Sequence, residues 1–371
     1  REGPRTITMT VMCLKAGRTD YELVPDLWFK RGGMVFTSQP GELLPDLDAA
    51  MPKAAWDLLP MGVYRAHNWH SFENINARQP YASIHTSLGC PYRCNFCCIN
   101  APFGKSSYRM WSPANVGDQL EELVIGYGVR NVKFVDEMFV LNRAHVLGVC
   151  DEIDRRGLGA DLNIWAYARV DTVKDEFLDR LRAAGFRWLA LGIESGSKHV
   201  RDGADKALKS EDIIGTVRRI QAAGINVIGN YIFGLPDDTQ ESMRETLALA
   251  LEANCEFANF YSAMAYPGSK LYTMAIDKGW KLPDSWIGYS QHSYETEPLP
   301  TDTLSGAQVL AFRDAAFRAY FTAASYTDMV RRKFGPAVVA HVERMAAQPL
   351  PRKLLRPRME DEACGTQSPA R

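Results

Sequence analysis

The chain has 371 residues, 46% of them hydrophobic, which is enough for one large domain or two ordinary ones with a full core. Its 43 Lys and Arg against 44 Asp and Glu leave no global field to draw it to nucleic acid or an anionic membrane, so a small-molecule or protein substrate is favoured. No stretch approaches the roughly 18 apolar residues of a membrane span, and four of the eight cysteines are scattered at uneven spacings with no secretory leader pattern, so a reduced, cytoplasmic setting is expected.

Residues 1–80 read as a lead-in segment. TITMTVMCLKAG opens like a chain already in progress, LWFKRGGMVFTS is expected to form a small hairpin around Gly32 and Gly33, and LPDLDAAMPKAAWDLLP has too little periodicity to stand alone. His67 and His70, in RAHNWHSF, are read as surface-loop residues, and His85 as a satisfied core residue. From about Tyr81 to Met264, short apolar runs alternate with helical patterns in units of roughly 30 residues, the length of a strand, loop and crossover helix. Six strands are expected: YASIHTSL, NVKFVD, LNIWAYA, RWLALGIES, INVIGNYIFG and FANFYSAM. They are mostly continuous and apolar, which suits parallel strands buried on both faces.

The intervening helices carry start and stop signals. Ser112 can cap a helix with Pro113 at its first position, and further amphipathic stretches end at Gly185 and run between Ser210 and Gly224. This repetition predicts an α/β fold, a partial (β/α)6 TIM-like barrel of parallel strands over 81–300, with its site at the carboxyl ends of the strands. The aromatic segment WIGYSQHSYETEPLP either closes over a substrate or packs as inert cover. A helical C-terminal extension is expected over 301–346, with its helix from about Ser305 to Lys333, and residues 347–371, rich in Pro and charge, are expected to be a disordered tail.

Cys90, Cys94 and Cys97 give C-x-x-x-C-x-x-C within LGCPYRCNFCC, just after the first expected strand. Three thiolates on one short loop can hold a soft metal centre. A closed structural zinc site wants four ligands, and no second pair follows at a suitable distance, although a non-enzymatic zinc-binding module stays open as an alternative. A cubane iron-sulfur cluster with three protein thiolates leaves one iron open to bind a substrate or cofactor directly. Cys98, adjacent to Cys97, is read as a buried non-ligating thiol.

With Phe96 in the aromatic position, C-x-x-x-C-x-aromatic-C resembles the signature of the radical S-adenosylmethionine superfamily. The resemblance implies a 4Fe-4S cluster held by Cys90, Cys94 and Cys97, whose open iron is chelated by the amino and carboxylate groups of S-adenosylmethionine. It also implies reductive cleavage to methionine and a 5'-deoxyadenosyl radical that abstracts hydrogen from substrate. Further motifs match and imply cofactor contacts. Asp136 and Glu137 in VKFVDEMF resemble the acidic motif that receives the cofactor's amino group, with helix capping or solvent contact as the alternative. Arg169 in YARVD stands where relatives bring an arginine to the cofactor, with an ion pair to a neighbouring carboxylate as the alternative. Glu194 in LGIESGS resembles the ribose or arginine-pairing acid, and a structural pair with Arg169 is its other reading. Ile232 and Gly234 in NYIFGLPDDT occupy the adenine motif, although Asn230 and Asp237 stand where many relatives have Gly and Glu.

AYPGSKLY extends the resemblance to roughly residues 20–300, and the lead-in and spacings look most like the cobalamin-dependent branch, which includes methyltransferases and oxidative ring-forming enzymes. That branch normally carries a separate domain with a D-x-H-x-x-G motif that contacts cobalamin. The motif is absent from this chain, so cobalamin is an expectation of the branch only: either residues 1–80 follow such a domain, or the protein works without it. The resemblance implies a small-molecule or lipid-like substrate and an electron donor such as flavodoxin or ferredoxin. The expected reaction is cobalamin-assisted methyl transfer to an unactivated carbon, with oxidative cyclisation or another radical rearrangement as the alternative.

Overall fold

The computed structural model describes residues 3–206, 208 and 212–356. The lead-in contains helix α1 (Gly3–Lys15), the hairpin β1 (Trp28–Arg31) and β2 (Met34–Thr37) around Gly32 and Gly33, and the short α2 (Leu47–Ala50). The hairpin is where the sequence puts it, whereas α1 is a helix that the reading of the opening residues misses.

The barrel follows in chain order. Its elements are β3 (Tyr81–Ile84), a two-stranded excursion β4 (Ser87–Leu88) and β5 (Arg109–Met110), then α3 (Pro113–Glu121), β6 (Asn131–Phe134), α4 (Arg143–Arg155), β7 (Asn163–Arg169), α5 (Asp175–Ala183), β8 (Phe186–Glu194), α6 (Lys198–Gly203), α7 (Ile213–Ala222), β9 (Asn226–Phe233), α8 (Gln240–Ala253), β10 (Phe257–Ser262) and α9 (Lys270–Asp277). Six strands form one sheet in the order β10-β9-β8-β7-β6-β3, each pair parallel. The six expected strands are all present, in a curled half-barrel, because each buries one face under the outer helices and turns the other to the lumen. Val132, Ala166, Leu189 and Val227 lie fully buried under α3, α4, α5 and α7, while Lys133, Tyr167, Asn230 and Tyr261 alternate with them and are only half-buried.

Ser112 caps α3 as its sequence suggests, its Oγ accepting from Asn115 N at 3.2 Å. Asp212 caps α7 through Gly215 N at 2.7 Å; Ser210, where this amphipathic stretch is expected to begin, lies outside the described residues.

Two segments close the structure outside the sheet. At the amino ends of the strands, Trp69 packs edge-on against Trp165 and Trp188 with centroids 5.1 and 5.4 Å away, and Phe72 lies against Trp188 and Phe257. His70 is buried beside them, its Nε2 2.8 Å from Asn163 O, so it is an anchor of the barrel floor and not the surface-loop residue expected. His85 departs in the other direction: it is exposed on the edge beside β3. At the C-terminus, α10 (Gly306–Phe321) covers β10 and β9, and α11 (Ala324–Phe334) and α12 (Pro336–Ala347) pack against it and each other, so the expected single helix is three, with Gly335 at φ +86 turning α11 into α12. Arg352 is buried and donates to Asp314 on α10 at 3.0 Å, which fixes residues up to 356 where a tail is expected. Residues 357–371 of that expected tail lie outside the described residues.

Candidate cluster loop and cofactor site

The cysteine loop is pinched off by the β4/β5 pair, Ser87 opposite Met110 and Leu88 opposite Arg109. Gly89 enters it at φ +84, and a Cβ there would stand 2.5 Å from Ser107 O, so the tight neck requires glycine. Asn95 ties the loop down at three points. Its N donates to Ala204 O at 3.1 Å and its Nδ2 to Gly203 O at 2.9 Å, while its carbonyl accepts from Leu271 N on α9 at 2.8 Å. Gly268 in the AYPG turn sits so close that a Cβ would lie 2.7 Å from Ala101 Cβ. The loop is thereby held over the carboxyl ends of β8 and β10.

Cys90 is buried, Cys94 and Cys98 are half-buried, and Cys97 keeps an exposed edge. Burial raises the thiols of Cys90 and Cys94 and pushes that of Cys97 up to about 11, with Cys94, Cys98 and Cys90 as smaller contributors to the last. The thiols are thus mutual neighbours, yet among the described residues no three Cys, His, Asp or Glu side chains converge on one point to hold a single ion.

The strand ends place the remaining expected residues with unequal freedom. Asp136 is fully buried and fully occupied: Oδ1 accepts from Thr86 N at 2.7 Å, and Oδ2 from Thr86 Oγ1 and Ser87 Oγ at 2.6 and 2.5 Å. It locks the β3 to β4 turn that launches the loop. Its neighbour Glu137 carries a buried Oε2 with no partner, and burial holds its carboxyl above the usual carboxylate range. Of the two, Glu137 is the one with capacity for a ligand.

Arg169, at the end of β7, is buried and donates to Asp171 Oδ1 at 3.0 Å, while its guanidinium lies 4.1 Å from the ring centroid of Tyr92 on the cysteine loop. Glu194, at the end of β8, accepts from Lys206 Nζ at 2.9 Å, both side chains being buried. The Arg169 to Glu194 pair expected as an alternative is not formed. Burial pulls the Lys206 ammonium down, but Glu194 and then Cys94 outweigh it and hold the charge. Phe96 and Ile232 come together against one small apolar cluster of Val200, Ala204, Leu235 and Ala263. Gly234, at φ +85, is wedged under Val309 of α10, and Asp238 Oδ2 accepts from the backbone N of Gly234 and Leu235 at 2.9 and 3.2 Å.

Tyr92, Asn95, Asp171 and Lys206 belong to this arrangement and are not anticipated in the sequence. A buried lysine 12 residues after a buried glutamate leaves no periodic signal, although Asp171, two residues after Arg169, could have been read as its partner.

The donor set suits an iron-sulfur cluster with an organic ligand beside it. Three soft thiols share one anchored loop, two cations, Arg169 and Lys206, act on Cys94, and the unpartnered Glu137 oxygen lies at the neighbouring strand end.

The sequence profile described as the radical SAM superfamily matches residues 84–250. An uncharacterized methyltransferase of Pyrococcus horikoshii is 29% identical over 78% of this chain and 60% of its own length. An anaerobic magnesium-protoporphyrin IX monomethyl ester cyclase of Cereibacter sphaeroides is 25% identical over 77% of this chain and 44% of its own. Among solved structures, the radical S-adenosylmethionine methyltransferase TsrM of Kitasatospora setae, with cobalamin and a 4Fe-4S cluster bound, superposes with a TM-score of 0.59 at 22% identity, over 74% of this chain and 53% of that one. The chain spans about half the length of these relatives, and the structural likeness shows the fold. No helix among the described residues is long and apolar enough to cross a membrane. The profile covers the cysteine loop and strands β6 to β9, and the half-barrel fold agrees with it, so over residues 84–250 the chain is similar to the radical S-adenosylmethionine superfamily.

Proposed function

We propose that this chain is the catalytic barrel of a radical S-adenosylmethionine enzyme that carries out cobalamin-assisted methyl transfer to an unactivated carbon. The observation that carries the reading is the cysteine loop, anchored by Asn95 over the strand ends with Cys94 beside the Glu194 and Lys206 pair. Cys90, Cys94 and Cys97 are assigned as the cluster ligands. When bound, the cluster and S-adenosylmethionine supply one-electron reductive cleavage of the sulfonium.

The chain's own residues position and compensate. Lys206 and Arg169 set positive charge against the Cys94 thiolate, Glu137 offers its open Oε2 to the amino group of S-adenosylmethionine, and Phe96 with Ile232 gives an apolar wall for the adenine. Asp136 acts at one remove by holding the turn before the loop. Gly192 keeps the floor open, since a Cβ there would stand 2.7 Å from Glu194 Oε1 and 2.9 Å from Lys206 Nζ.

Methyl transfer is favoured by the methyltransferase named among the relatives and by the one in the solved fold. Cyclisation is the second reading, favoured by the likeness to the magnesium-protoporphyrin cyclase. The cobalamin is assigned to the branch and not to a motif in this chain. A small-molecule substrate, a flavodoxin or ferredoxin donor and a cytoplasmic setting complete the reading, as does the division into lead-in, barrel and helical extension.

The test is anaerobic reconstitution with iron and sulfide, then addition of S-adenosylmethionine and a reductant. Iron and acid-labile sulfide near four each per chain, with 5'-deoxyadenosine formed, supports the enzyme. S-Adenosylhomocysteine formed on adding cobalamin separates methyl transfer from cyclisation. Stoichiometric zinc without iron sinks the reading in favour of a zinc module, and 5'-deoxyadenosine formation surviving in Cys90→Ala, Cys94→Ala and Cys97→Ala would sink the ligand assignment.

A further inference from the structure

The lumen beneath the cofactor site is a second feature with its own chemistry. A cavity of about 460 Å³ lies between β6, β7 and β10 on one side and α10 and α12 on the other, within the size range of pockets for small organic ligands. Its wall is mostly aromatic, Trp165, Tyr167, Tyr261 and Phe317 among it, and none of its lining residues is Asp or Glu.

Into this lining β6 sends Lys133. Its Nζ lies 4.5 Å from the ring centroid of Trp165 and 5.6 Å from that of Tyr167, and it has no ion pair among the described residues. The other cation of the wall, Arg313, is already matched: Nη1 donates to Asp314 at 2.8 Å and Nε to Phe260 O at 2.7 Å. Two more polar atoms of the lining are buried without partners, the indole Nε1 of Trp165 and His341 Nε2. An indole N–H can only donate, so it calls for an acceptor. Aromatic faces return only part of the hydration an ammonium loses on burial, and a buried donor without an acceptor is destabilising. A cation and an unanswered donor side by side in a cavity without carboxylates describe a receptor for an anion attached to an apolar body.

We propose that this lumen is the substrate pocket and that it takes an organic acid, an aromatic or apolar molecule carrying one carboxylate or phosphate, whose charge is received by Lys133 and the Trp165 Nε1–H. Tyr167 from β7 and Tyr261 from β10 line the same pocket. The assignment as substrate pocket rests on the enzyme reading above; binding of the acid does not.

The test is isothermal titration calorimetry on the full chain, with neither S-adenosylmethionine nor reductant present. The probes are 2-naphthoate, indole-3-acetate and 2-naphthyl phosphate, each against its neutral counterpart, 2-naphthamide, indole-3-acetamide and 2-naphthol. At least one acid is expected to bind ten-fold or more tighter than its counterpart, and whether the carboxylates or the phosphate lead decides the acid type. Lys133→Met should reduce the preference to within two-fold while Lys133→Arg keeps it. Met345→Trp, which fills the lumen from α12 and leaves the sheet untouched, should remove binding of acid and neutral partner alike. Binding by none of the acids, or a preference that survives in Lys133→Met, overturns the proposal. Because these titrations need no cluster, loss of S-adenosylmethionine cleavage would leave their result unchanged, and a failed titration would leave the cleavage reading standing.

Discussion

Lys206 Nζ donates to Glu194 Oε1 at 2.9 Å inside the barrel mouth, and it does so from a residue held at φ +66 on the carboxylate side. A left-handed, non-glycine backbone at a strand end costs on the order of 1–3 kcal/mol and persists only where its surroundings enforce it. Here the enforcement is the buried pair itself, together with the register shift of β8 against β9 between Gly192 and Glu194. Removing one partner of such a pair leaves a buried charge unanswered. Lys206→Met should therefore lower the unfolding free energy by about 3 kcal/mol. Adding Glu194→Gln should return at least half of the loss. Urea unfolding of wild type, single and double variants checks both, and a neutral Lys206→Met would show that the pair is not desolvated.

The stacking of Arg169 on Tyr92 joins β7 to the cysteine loop at 4.1 Å, with Asp171 fixing the guanidinium from behind. A desolvated contact of this kind is worth about 2 kcal/mol. Tyr92→Leu should loosen the loop locally, so that less than half of the wild-type iron survives a chelator challenge after reconstitution. The global melting temperature should fall by no more than about 4 °C, because the sheet is untouched. Tyr92→Phe keeps the ring and should keep the iron.

The barrel was legible because parallel strands buried on both faces are continuous apolar runs, and FANFYSAM or INVIGNYIFG cannot be accommodated elsewhere. Local caps such as Ser112 were legible for the same reason, since their partner lies three residues away. What escaped was decided across the fold. Arg169 and Glu194 sit on adjacent strands and looked like partners, but each found a nearer charge, Asp171 and Lys206. His70 lies in polar sequence without a period, and its burial is set by Trp69 wedging against Trp165 and Trp188. Arg352 reads as tail until Asp314, 38 positions earlier, is brought opposite it.

Gly234 ends β9 where α10 crosses. Its φ of +85 disfavours any side chain, and an added Cβ would stand 2.7 Å from both Val309 Cγ1 and Cγ2. Two separate costs follow, one of backbone conformation and one of overpacking, about 1 and 1–3 kcal/mol. Gly234→Ala should destabilise by about 2–4 kcal/mol on this account. In the Val309→Ala background the steric part should vanish and about 1 kcal/mol should remain. A double-mutant cycle by urea unfolding separates the two, and equal losses in both backgrounds would show that α10 makes room without cost.

His70 makes stability depend on acidity in a direction fixed by its hydrogen bond. Asn163 O is an acceptor, so Nε2 must carry the proton that bridges the 2.8 Å gap, leaving Nδ1 buried as an unpartnered lone pair. A second proton would have to enter that site, and burial accordingly pulls the imidazole down to about 3. The unfolded chain takes up its proton near 6.5, so between these values the unfolded state binds more protons than the folded one. The contribution is fully present above about 6.5 and is lost as the pH falls toward 3. At pH 5 the loss amounts to about 2 kcal/mol relative to pH 7. His145, pulled down to about 4, adds in the same direction, and Asp238, pushed up to about 6, acts oppositely. Both remain in a His70→Gln variant and cancel in the difference. The gap in unfolding free energy between wild type and His70→Gln should therefore move by about 2 kcal/mol in favour of the variant on going from pH 7 to pH 5, and it should be flat from pH 7 to pH 8. A gap independent of pH across the whole range would mean that the imidazole takes up its proton in the folded state as readily as in the unfolded chain, and the barrel floor would then need a different account of its contact with Asn163.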